Sequence, residues 1–226
     1  MSNKILVLAP HPDDEILGCG GTIAKKIREG NRVWVGVLTN ANITDPIKYT
    51  IEKRDNIRME AKNAGNLLGI EEVLFADIPA IILDQYPAYK VIDAISKWIA
   101  AHKIDTIYLP HRGDIHNDHK VIFDAGMVAS RPVGNYSVKE IYAYETLSET
   151  EWAHPFQNDA FIPNFFETLD ESDFENKLKS MSCYKSQLRP FPNSRSLETI
   201  EALAKFRGST VSVKRAEAFM LLRKIS

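Results

Sequence analysis

The sequence predicts an α/β fold in which helices cover a parallel sheet. Up to residue 145, continuous apolar runs recur, and each is followed by a segment with the apolar period of a helix. The first two runs and the segment between them form a strand–helix–strand unit, which favours a right-handed crossover and parallel strands. A length of 226 residues suits one large domain, so we expect residues 1–226 to fold as a single domain.

The elements of this first part follow from the runs and periods read in order. Ile5–Ala9 is a continuous apolar run, as expected of a strand buried on both faces. A helix begins near Ile16, carries Ile23 and Ile27 on its apolar side, and ends at Gly30. Further strands are predicted at Val33–Leu38, Val73–Phe75, Ile104–Leu109 and Glu140–Tyr144, and further helices over 50–68, 88–101 and 118–129.

The last third of the chain has a weaker pattern. Aromatic residues and prolines are frequent over 152–166, which predicts loops or short strands. Helical periods return later, and the sequence predicts helices over 171–184, 197–206 and 214–223. We expect this part to wrap around the first one.

Composition and charge argue against several classes of protein. The formal net charge of −2 and the pI near 6.3 disfavour a nucleic-acid-binding surface. The first apolar run is too short for a signal peptide, and no apolar stretch reaches the ~18 residues of a membrane span. Two cysteines, Cys19 and Cys183, do not form a disulfide framework. The sequence therefore predicts a cytoplasmic protein.

Two polar clusters follow two of the predicted strands. His11-Pro-Asp-Asp-Glu15 comes after the first apolar run, and His116-Asn-Asp-His119 follows the run that ends at Leu109. The carboxyl ends of parallel strands lie at one edge of the sheet, where open α/β folds place their active sites. His and Asp together bind zinc, and they also bind iron and other divalent ions. We therefore predict one mononuclear metal site with an open coordination position.

Each cluster contains more donors than one ion can use. One carboxylate of the first cluster can bind the ion while a neighbour takes a proton from water, as in a metal-dependent hydrolase. One histidine of the second cluster can complete the ligand set, and the other can stabilise an oxyanion or protonate a leaving nitrogen. Asp13, Asp14 and Asp118 also suit helix N-termini, so simple capping is an alternative for each of them.

The two clusters resemble the defining motifs of the PIG-L/LmbE family of zinc-dependent N-deacetylases. The resemblance rests on residues 10–15 and 116–119, and it extends to the glycine-rich start of the first helix, Leu17–Thr22. It implies a Rossmann-like parallel sheet with helices on both faces, a Zn²⁺ cofactor (with Fe²⁺ as an alternative), and assembly into trimers or hexamers. The implied activity is hydrolysis that removes the N-acetyl group from an N-acetylated amino sugar or from its glycoside or nucleotide conjugate.

The resemblance also implies a role for each matching residue. The zinc ligands are matched by His11, Asp14 and His119. Asp13 matches the general base that acts on the water held by zinc. His116 matches the histidine that stabilises the tetrahedral intermediate and can also act as the acid, and we expect it to stabilise the intermediate in its protonated form. Asp118 matches the acid that supports this histidine. Glu15 belongs to the motif but has no assigned chemical step.

Substrate contacts are less well marked in the sequence. The family has an arginine at the start of the helix predicted over 50–68, and Arg54 is our choice for that contact. The polar loop Thr39–Tyr49 and the aromatic segment 152–166 could shape the pocket, while Lys185 and Arg189 could meet a phosphate. We expect a small-molecule amino sugar as the partner, with no nucleic acid and no membrane.

Two other functions are compatible with the sequence. Clustered His and Asp also build phosphoesterase sites, which typically hold two metal ions about 3.5–4 Å apart. A carbohydrate-binding protein with a vestigial site is the second alternative, and the intact motifs argue against it. Metal stoichiometry and acetate release separate these possibilities.

Overall fold

The computed structural model describes residues 2–40, 50–80, 82–133 and 138–226. They form a mixed seven-stranded sheet with the strand order β3-β2-β1-β4-β5-β7-β6. The strands are β1 Lys4–Ala9, β2 Arg32–Asn40, β3 Glu72–Pro79, β4 Thr106–Pro110, β5 Glu140–Tyr144, β6 Phe165–Thr168 and β7 Ala216–Lys224. The α-helices of these residues are α1 Asp14–Arg28, α2 Ile51–Leu68, α3 Ala88–His102, α4 Asn117–Ala129, α5 Glu171–Met181 and α6 Leu197–Ser209.

The first five strands are parallel, as predicted. β1 pairs with β2 and β4, β2 also pairs with β3, and β4 also pairs with β5. Because successive residues of a strand point to opposite faces, Ile5 and Val7 pack against α1, α2, α5 and α6, whereas Leu6 and Leu8 pack against α3 and α4. The α/β fold with helices on both faces of a mostly parallel sheet is therefore confirmed.

The strand order explains where a site can form. The chain moves from β1 outward to β2 and β3, and then returns through α3 to β4 on the other side of β1. β1 and β4 are thus parallel neighbours whose outgoing connections diverge, which opens a crevice at their carboxyl ends. Since α1 begins at Asp14 and α4 begins at Asn117, both polar clusters lie at this crevice.

One element of the last third differs in type from its prediction. The helix predicted over 214–223 is wrong, because Ala216–Lys224 is a strand that pairs antiparallel with both β5 and β6. Its alanines, leucines and glutamate are good helix formers, which explains the misleading local pattern. Pairing on both sides and burial of its first four residues override that preference. The sheet is therefore mixed, with two antiparallel additions to the parallel part.

A smaller difference concerns the length of the third strand. The third strand is longer than the predicted Val73–Phe75 and continues to Pro79, passing through Asp77 with a left-handed backbone (φ 56°). The aromatic segment 152–166 contributes only the start of β6, in line with the expected loops and short strands.

Among the described helices, none combines the length and the apolar character that a membrane crossing requires.

Candidate active site

The turn between β1 and α1 holds the first cluster in a constrained conformation. Asp13 has a left-handed backbone (φ 112°), which is strained for a residue with a side chain, and its carboxylate makes no capping hydrogen bond to α1. The His11 backbone N–H donates to Asp14 Oδ2 over 2.8 Å. Both carboxylates are almost fully buried. Simple helix capping therefore does not account for Asp13 or Asp14.

Three side chains from the two clusters converge on one point. His11 Nδ1 lies 3.4 Å from Asp14 Oδ2, and His119 Nε2 lies 3.3 Å from the same oxygen. One donor atom from each of the three residues lies within 4.8 Å of the others. His119 Nε2 is buried and has no hydrogen-bond partner among the described residues, which is unusual for a buried polar atom. Two histidine nitrogens and one carboxylate oxygen are donors that zinc and similar divalent cations bind.

Buried acids orient the two histidine rings. His119 Nδ1 contacts Asp114 Oδ2 at 2.8 Å, and Asp114 Oδ1 accepts a hydrogen bond of 2.6 Å from Thr150 Oγ1. This contact favours a proton on Nδ1, so the ring in its neutral form would offer the lone pair of Nε2 to an ion beside Asp14. On the other ring, His11 Nε2 contacts Asp118 Oδ2 at 3.0 Å, which leaves Nδ1 toward Asp14. Carboxylates that hold the far nitrogens of histidines are typical neighbours of metal ligands.

A second group of donors overlaps the first. His11, His116 and Asp118 also offer atoms within 4.8 Å of one another. The two groups found among the described residues share His11, so they favour one ion rather than two separate centres. Asp118 Oδ1 also accepts from the Leu83 backbone N–H at 3.3 Å.

The electrostatics of the cluster favour positive charge between its carboxylates. Burial lowers the pKa of His11 and of His119, but contacts with acids outweigh it. Asp118 and Asp14 raise the pKa of His11 to about 9, and Asp14 and Asp114 raise that of His119 to about 10. Burial opposes ionisation of Asp14, yet the two histidines hold its pKa well below its usual range. Protons on the histidine rings or a bound divalent ion can neutralise the negative charge of these carboxylates.

Asp13 faces the cleft beside this centre. Its Oδ2 atom is buried, has no hydrogen-bond partner among the described residues, and lies 3.6 Å from Arg195 Nη1. Burial raises the pKa of Asp13 to about 8, although the Arg195 charge acts in the opposite direction. A carboxylate oxygen with a free lone pair and a raised proton affinity is suited to accept a proton from a ligand.

Glu15, which had no assigned step, supports the turn from behind. Its carboxylate accepts from the Asp13 backbone N–H at 3.1 Å and from the Tyr184 hydroxyl. The residue is buried, and burial raises its pKa to about 7. These contacts hold the strained Asp13 backbone in place, so the structure gives Glu15 a positioning task.

The His116 ring has its proton on the nitrogen that faces away from α4. Its Nδ1 accepts a hydrogen bond of 3.1 Å from the Asp118 backbone N–H and thereby caps α4. The neutral ring then carries its proton on Nε2. Burial and the nearby His11 charge lower the pKa of His116 to about 4. This geometry favours a neutral ring as hydrogen-bond donor over the protonated ring that we expected from the sequence.

A cleft of about 200 Å³ opens beside the centre. Its described lining residues are His11, Pro12, Asp13, Thr39, Ile57, Ala80, His116, Glu149, Gln187 and Arg195. Arg54 is not among them, and its guanidinium pairs with the carboxylate of its neighbour Asp55 at 2.8 Å. The arginine of this cleft is Arg195, and neither Lys185 nor Arg189 lines it. Apart from Thr39 and Asn40, the polar loop 39–49 lies outside the described residues.

Sequence reasoning missed several residues of the site. Asp114, Glu149, Gln187 and Arg195 belong to no motif, and they come from segments far apart in the chain. The aromatic segment lines a different place: Phe156 and Phe161 border a separate groove of about 620 Å³. Of these four residues, only Asp114 could have been suspected from the sequence, because it lies two residues before the second cluster.

Comparisons with known proteins agree with the motifs. The family model for PIG-L, described as GlcNAc-PI de-N-acetylase, matches residues 6–130. The uncharacterized deacetylase YaiS of Escherichia coli (strain K12) is 32% identical over 187 residues, which cover 80% of this chain and 90% of YaiS.

Two solved structures share the fold. N,N'-diacetylchitobiose deacetylase from Pyrococcus horikoshii has a TM-score of 0.76 and 22% identity, covering 98% of this chain and 84% of that one. GalB, the 4-carboxy-2-hydroxymuconate hydratase from Pseudomonas putida KT2440, has a TM-score of 0.77 and 18% identity, covering 99% and 98%. At such identities these likenesses show the fold alone, and the two proteins catalyse different reactions.

Proposed function

Because the chain belongs to the PIG-L family of de-N-acetylases, as its motifs predicted, we propose that it is a metal-dependent N-deacetylase acting on an N-acetylated amino sugar. The observation that carries the proposal is the convergence of His11, Asp14 and His119 beside a cleft into which Asp13 projects. A proton acceptor next to a group of metal-binding donors is an arrangement that supports hydrolysis of an amide by water.

The proposed cofactor is one Zn²⁺ ion, and Fe²⁺ is the alternative. The ion would be held by His11, Asp14 and His119, whose donor atoms lie within 4.8 Å of one another. His119 Nε2 is buried and has no hydrogen-bond partner among the described residues, so it is available to bind an ion. When bound, such an ion supplies Lewis acidity and lowers the pKa of a water ligand toward about 7. Three protein donors would be the number that catalytic zinc sites typically use, with water as a further ligand.

In the proposed reaction, Asp13 moves the proton. Its Oδ2 accepts a proton from the attacking water as the water oxygen bonds to the acetyl carbon. The C–N bond then breaks, and the proton passes to the leaving nitrogen. The products are acetate and the free amine. Glu15 supports this step indirectly, because it holds the backbone of Asp13.

The proposed task of His116 is to stabilise negative charge on the former carbonyl oxygen. A neutral ring whose Nδ1 accepts from the Asp118 N–H has its Nε2–H free to donate to that oxygen. Asp118 serves through its backbone N–H, which fixes this tautomer, and through its carboxylate, which contacts His11. These role assignments stay proposals.

Acetate release tests the proposed function directly. Zinc-loaded protein is incubated with N-acetylglucosamine, its methyl glycoside, N,N'-diacetylchitobiose and a nucleotide-linked N-acetylamino sugar. We expect acetate and a primary amine in equal amounts from at least one of them, and no phosphate from p-nitrophenyl phosphate. Protein that holds one ion per chain but releases acetate from none of these substrates would contradict the proposal. Because a hydratase shares the fold, a fold match cannot replace this measurement.

A further inference from the structure

We infer that Glu149 and Arg195 form a subsite that binds the ring hydroxyls of the acetylated sugar. The inference rests on the proposed function and deepens it, because it names the part of the substrate that this wall of the cleft recognises. No sequence motif contains either residue, and both line the cleft beside Asp13.

Glu149 lines the cleft and has no hydrogen bond from its side chain to a described residue. The residue is only 8% exposed, yet no described residue donates a hydrogen bond to its side chain. Arg195 Nη2 lies 3.6 Å from Glu149 Oε1, beyond hydrogen-bond distance. The carboxylate oxygens of Glu149 therefore remain available to accept hydrogen bonds from a ligand in the cleft.

Arg195 is held in place by residues other than Glu149. Its Nε donates to Ser148 Oγ at 2.8 Å, and its Nη1 donates to Gln187 Oε1 at 3.1 Å. The guanidinium is therefore fixed between Asp13 and Glu149, with a contact of 3.6 Å to each carboxylate. An arginine fixed in this way can donate to a ligand oxygen without a large loss of side-chain entropy.

The backbone around Glu149 is also fixed. Ser148 has a left-handed conformation (φ 72°), and its N–H donates to Glu151 Oε1 at 2.7 Å. The carbonyl of Glu149 accepts a hydrogen bond from the Ile115 N–H at 3.3 Å, which ties this segment to the residue before His116. Strained non-glycine residues tend to occur at functional sites.

The chemistry of the pair indicates an uncharged polyol. A carboxylate can accept from two adjacent hydroxyls, and the neighbouring guanidinium can donate to a hydroxyl or to the ring oxygen. Two acidic side chains, Asp13 and Glu149, flank the Arg195 guanidinium at 3.6 Å each, so this wall does not present an unpaired cation to a phosphate. A sugar whose acetamido group lies at Asp13 would place ring hydroxyls against this pair. We therefore expect the acetylated ring to carry unsubstituted hydroxyls on that side.

Binding of intact substrate tests the subsite without relying on turnover. Zinc-loaded Asp13→Asn protein is titrated with methyl N-acetylglucosaminide and with its 3-, 4- and 6-deoxy analogues, and dissociation constants are measured by calorimetry. We expect Glu149→Gln in this background to weaken binding of the parent glycoside at least tenfold, whereas Glu175→Gln, an exposed glutamate on α5, leaves it unchanged. At least one deoxy analogue should bind about tenfold more weakly, and this loss should vanish in Glu149→Gln.

The remaining outcomes separate the subsite from the activity. Three results would overturn the subsite. The first is that the loss of affinity caused by Glu149→Gln and the loss caused by removing a ring hydroxyl are fully additive. The others are unchanged affinity in Glu149→Gln and no binding of any glycoside. If the glycoside binds in a Glu149-dependent way but native protein releases no acetate, the proposed function fails and the subsite stands. If native protein releases acetate and Glu149→Gln does so with unchanged kcat/KM, the proposed function stands and the subsite fails. Should Glu149→Gln fold poorly, Glu149→Asp, which keeps the charge but shortens the side chain, must show the same weakening.

Discussion

At the scale of single residues, Asp114 orients the ring of His119, one of the three proposed metal ligands. It is fully buried, contacts His119 Nδ1 and accepts from Thr150, so it sets which ring nitrogen offers a lone pair to an ion. Neither motif of the sequence includes it. Its position is nevertheless the kind that tunes metal ligands in other proteins.

Replacement of Asp114 by alanine should therefore weaken the metal site. We expect Asp114→Ala to lower zinc affinity by about 10–100-fold, because the His119 ring loses its partner and its fixed tautomer. Competition with a chromophoric chelator measures this affinity. Asp124→Ala, on the exposed side of α4, is the matched control and should bind zinc as the unchanged protein does. Equal affinities in both variants would contradict the assignment of Asp114.

Asp13 is the residue whose removal should separate binding from chemistry. Asp13→Asn is expected to lower kcat by about 10²–10⁴-fold, since the proton acceptor of the proposed reaction is lost. Zinc content should stay at one ion per chain, because Asp13 is not among the three converging ligands. Acetate release and elemental analysis on the same sample check both points. A variant that keeps full activity would exclude Asp13 as the base.

The sequence predicted one part of this site and not the other, for a physical reason. His11, Asp14 and His119 lie in short contiguous motifs at strand ends, so local order along the chain places them near one another. Glu149 and Arg195 reach the cleft only through the packing of distant loops. Arg54, predicted to contact substrate, instead pairs with Asp55 on α2, and whether it binds substrate stays untested.

At the scale of elements, the contact between α1 and β7 is held by a buried ion pair. Lys177 of α5 donates to the Leu17 carbonyl at 2.8 Å and lies 2.5 Å from Glu217 of β7. Glu217 also accepts from the Gly21 and Thr22 backbone N–H groups of α1. The buried pair Lys177 and Glu217 therefore links α5 and β7 to α1, the helix that carries Asp14.

Removal of one partner should destabilise the fold strongly. We expect Lys177→Met to reduce the free energy of unfolding by about 3–5 kcal/mol, because Glu217 would remain buried without its counter-charge. Urea denaturation monitored by circular dichroism measures the loss. The control, Lys179→Met, removes an exposed lysine from the same helix and should change stability by less than about 0.5 kcal/mol. Similar stabilities of the two variants would contradict a structural role for the buried pair.

The elements predicted best were those with a clear period and a buried position. β1, β2, β4 and β5 are apolar runs whose type is unambiguous once they alternate with helices. β7 failed because its residues favour helix locally, and only pairing with β5 and β6 makes it a strand. Local patterns could not indicate those partners, since β5 lies about 80 residues and β6 about 50 residues before β7 in the chain.

At the scale of the whole molecule, metal binding should couple to protonation. With no ion bound, acids raise the pKa of His11 to about 9 and that of His119 to about 10, so both rings are protonated at pH 7. A metal ligand must give up the proton from its binding nitrogen. Zinc affinity should therefore fall as the pH decreases below about 9 and strengthen as the pH increases toward these values.

Calorimetry in buffers with different ionisation enthalpies measures this coupling. We expect zinc binding at pH 7 to release one to two protons per ion and the apparent affinity to increase about tenfold per pH unit for each proton displaced. Affinity that is independent of pH between 6 and 9 would contradict the protonated state of the two ligands. Assembly into trimers or hexamers and a cytoplasmic location stay predictions of the family resemblance and the composition.

The central claim is that His11, Asp14 and His119 together bind one divalent ion. Elemental analysis of protein dialysed against metal-free buffer tests it most directly, on the unchanged chain and on His11→Gln, His119→Gln and the exposed control His154→Gln. The account predicts about one ion per chain for the unchanged protein and for His154→Gln, and almost none for the other two. A full complement of metal in His119→Gln, or two ions per unchanged chain, would contradict it.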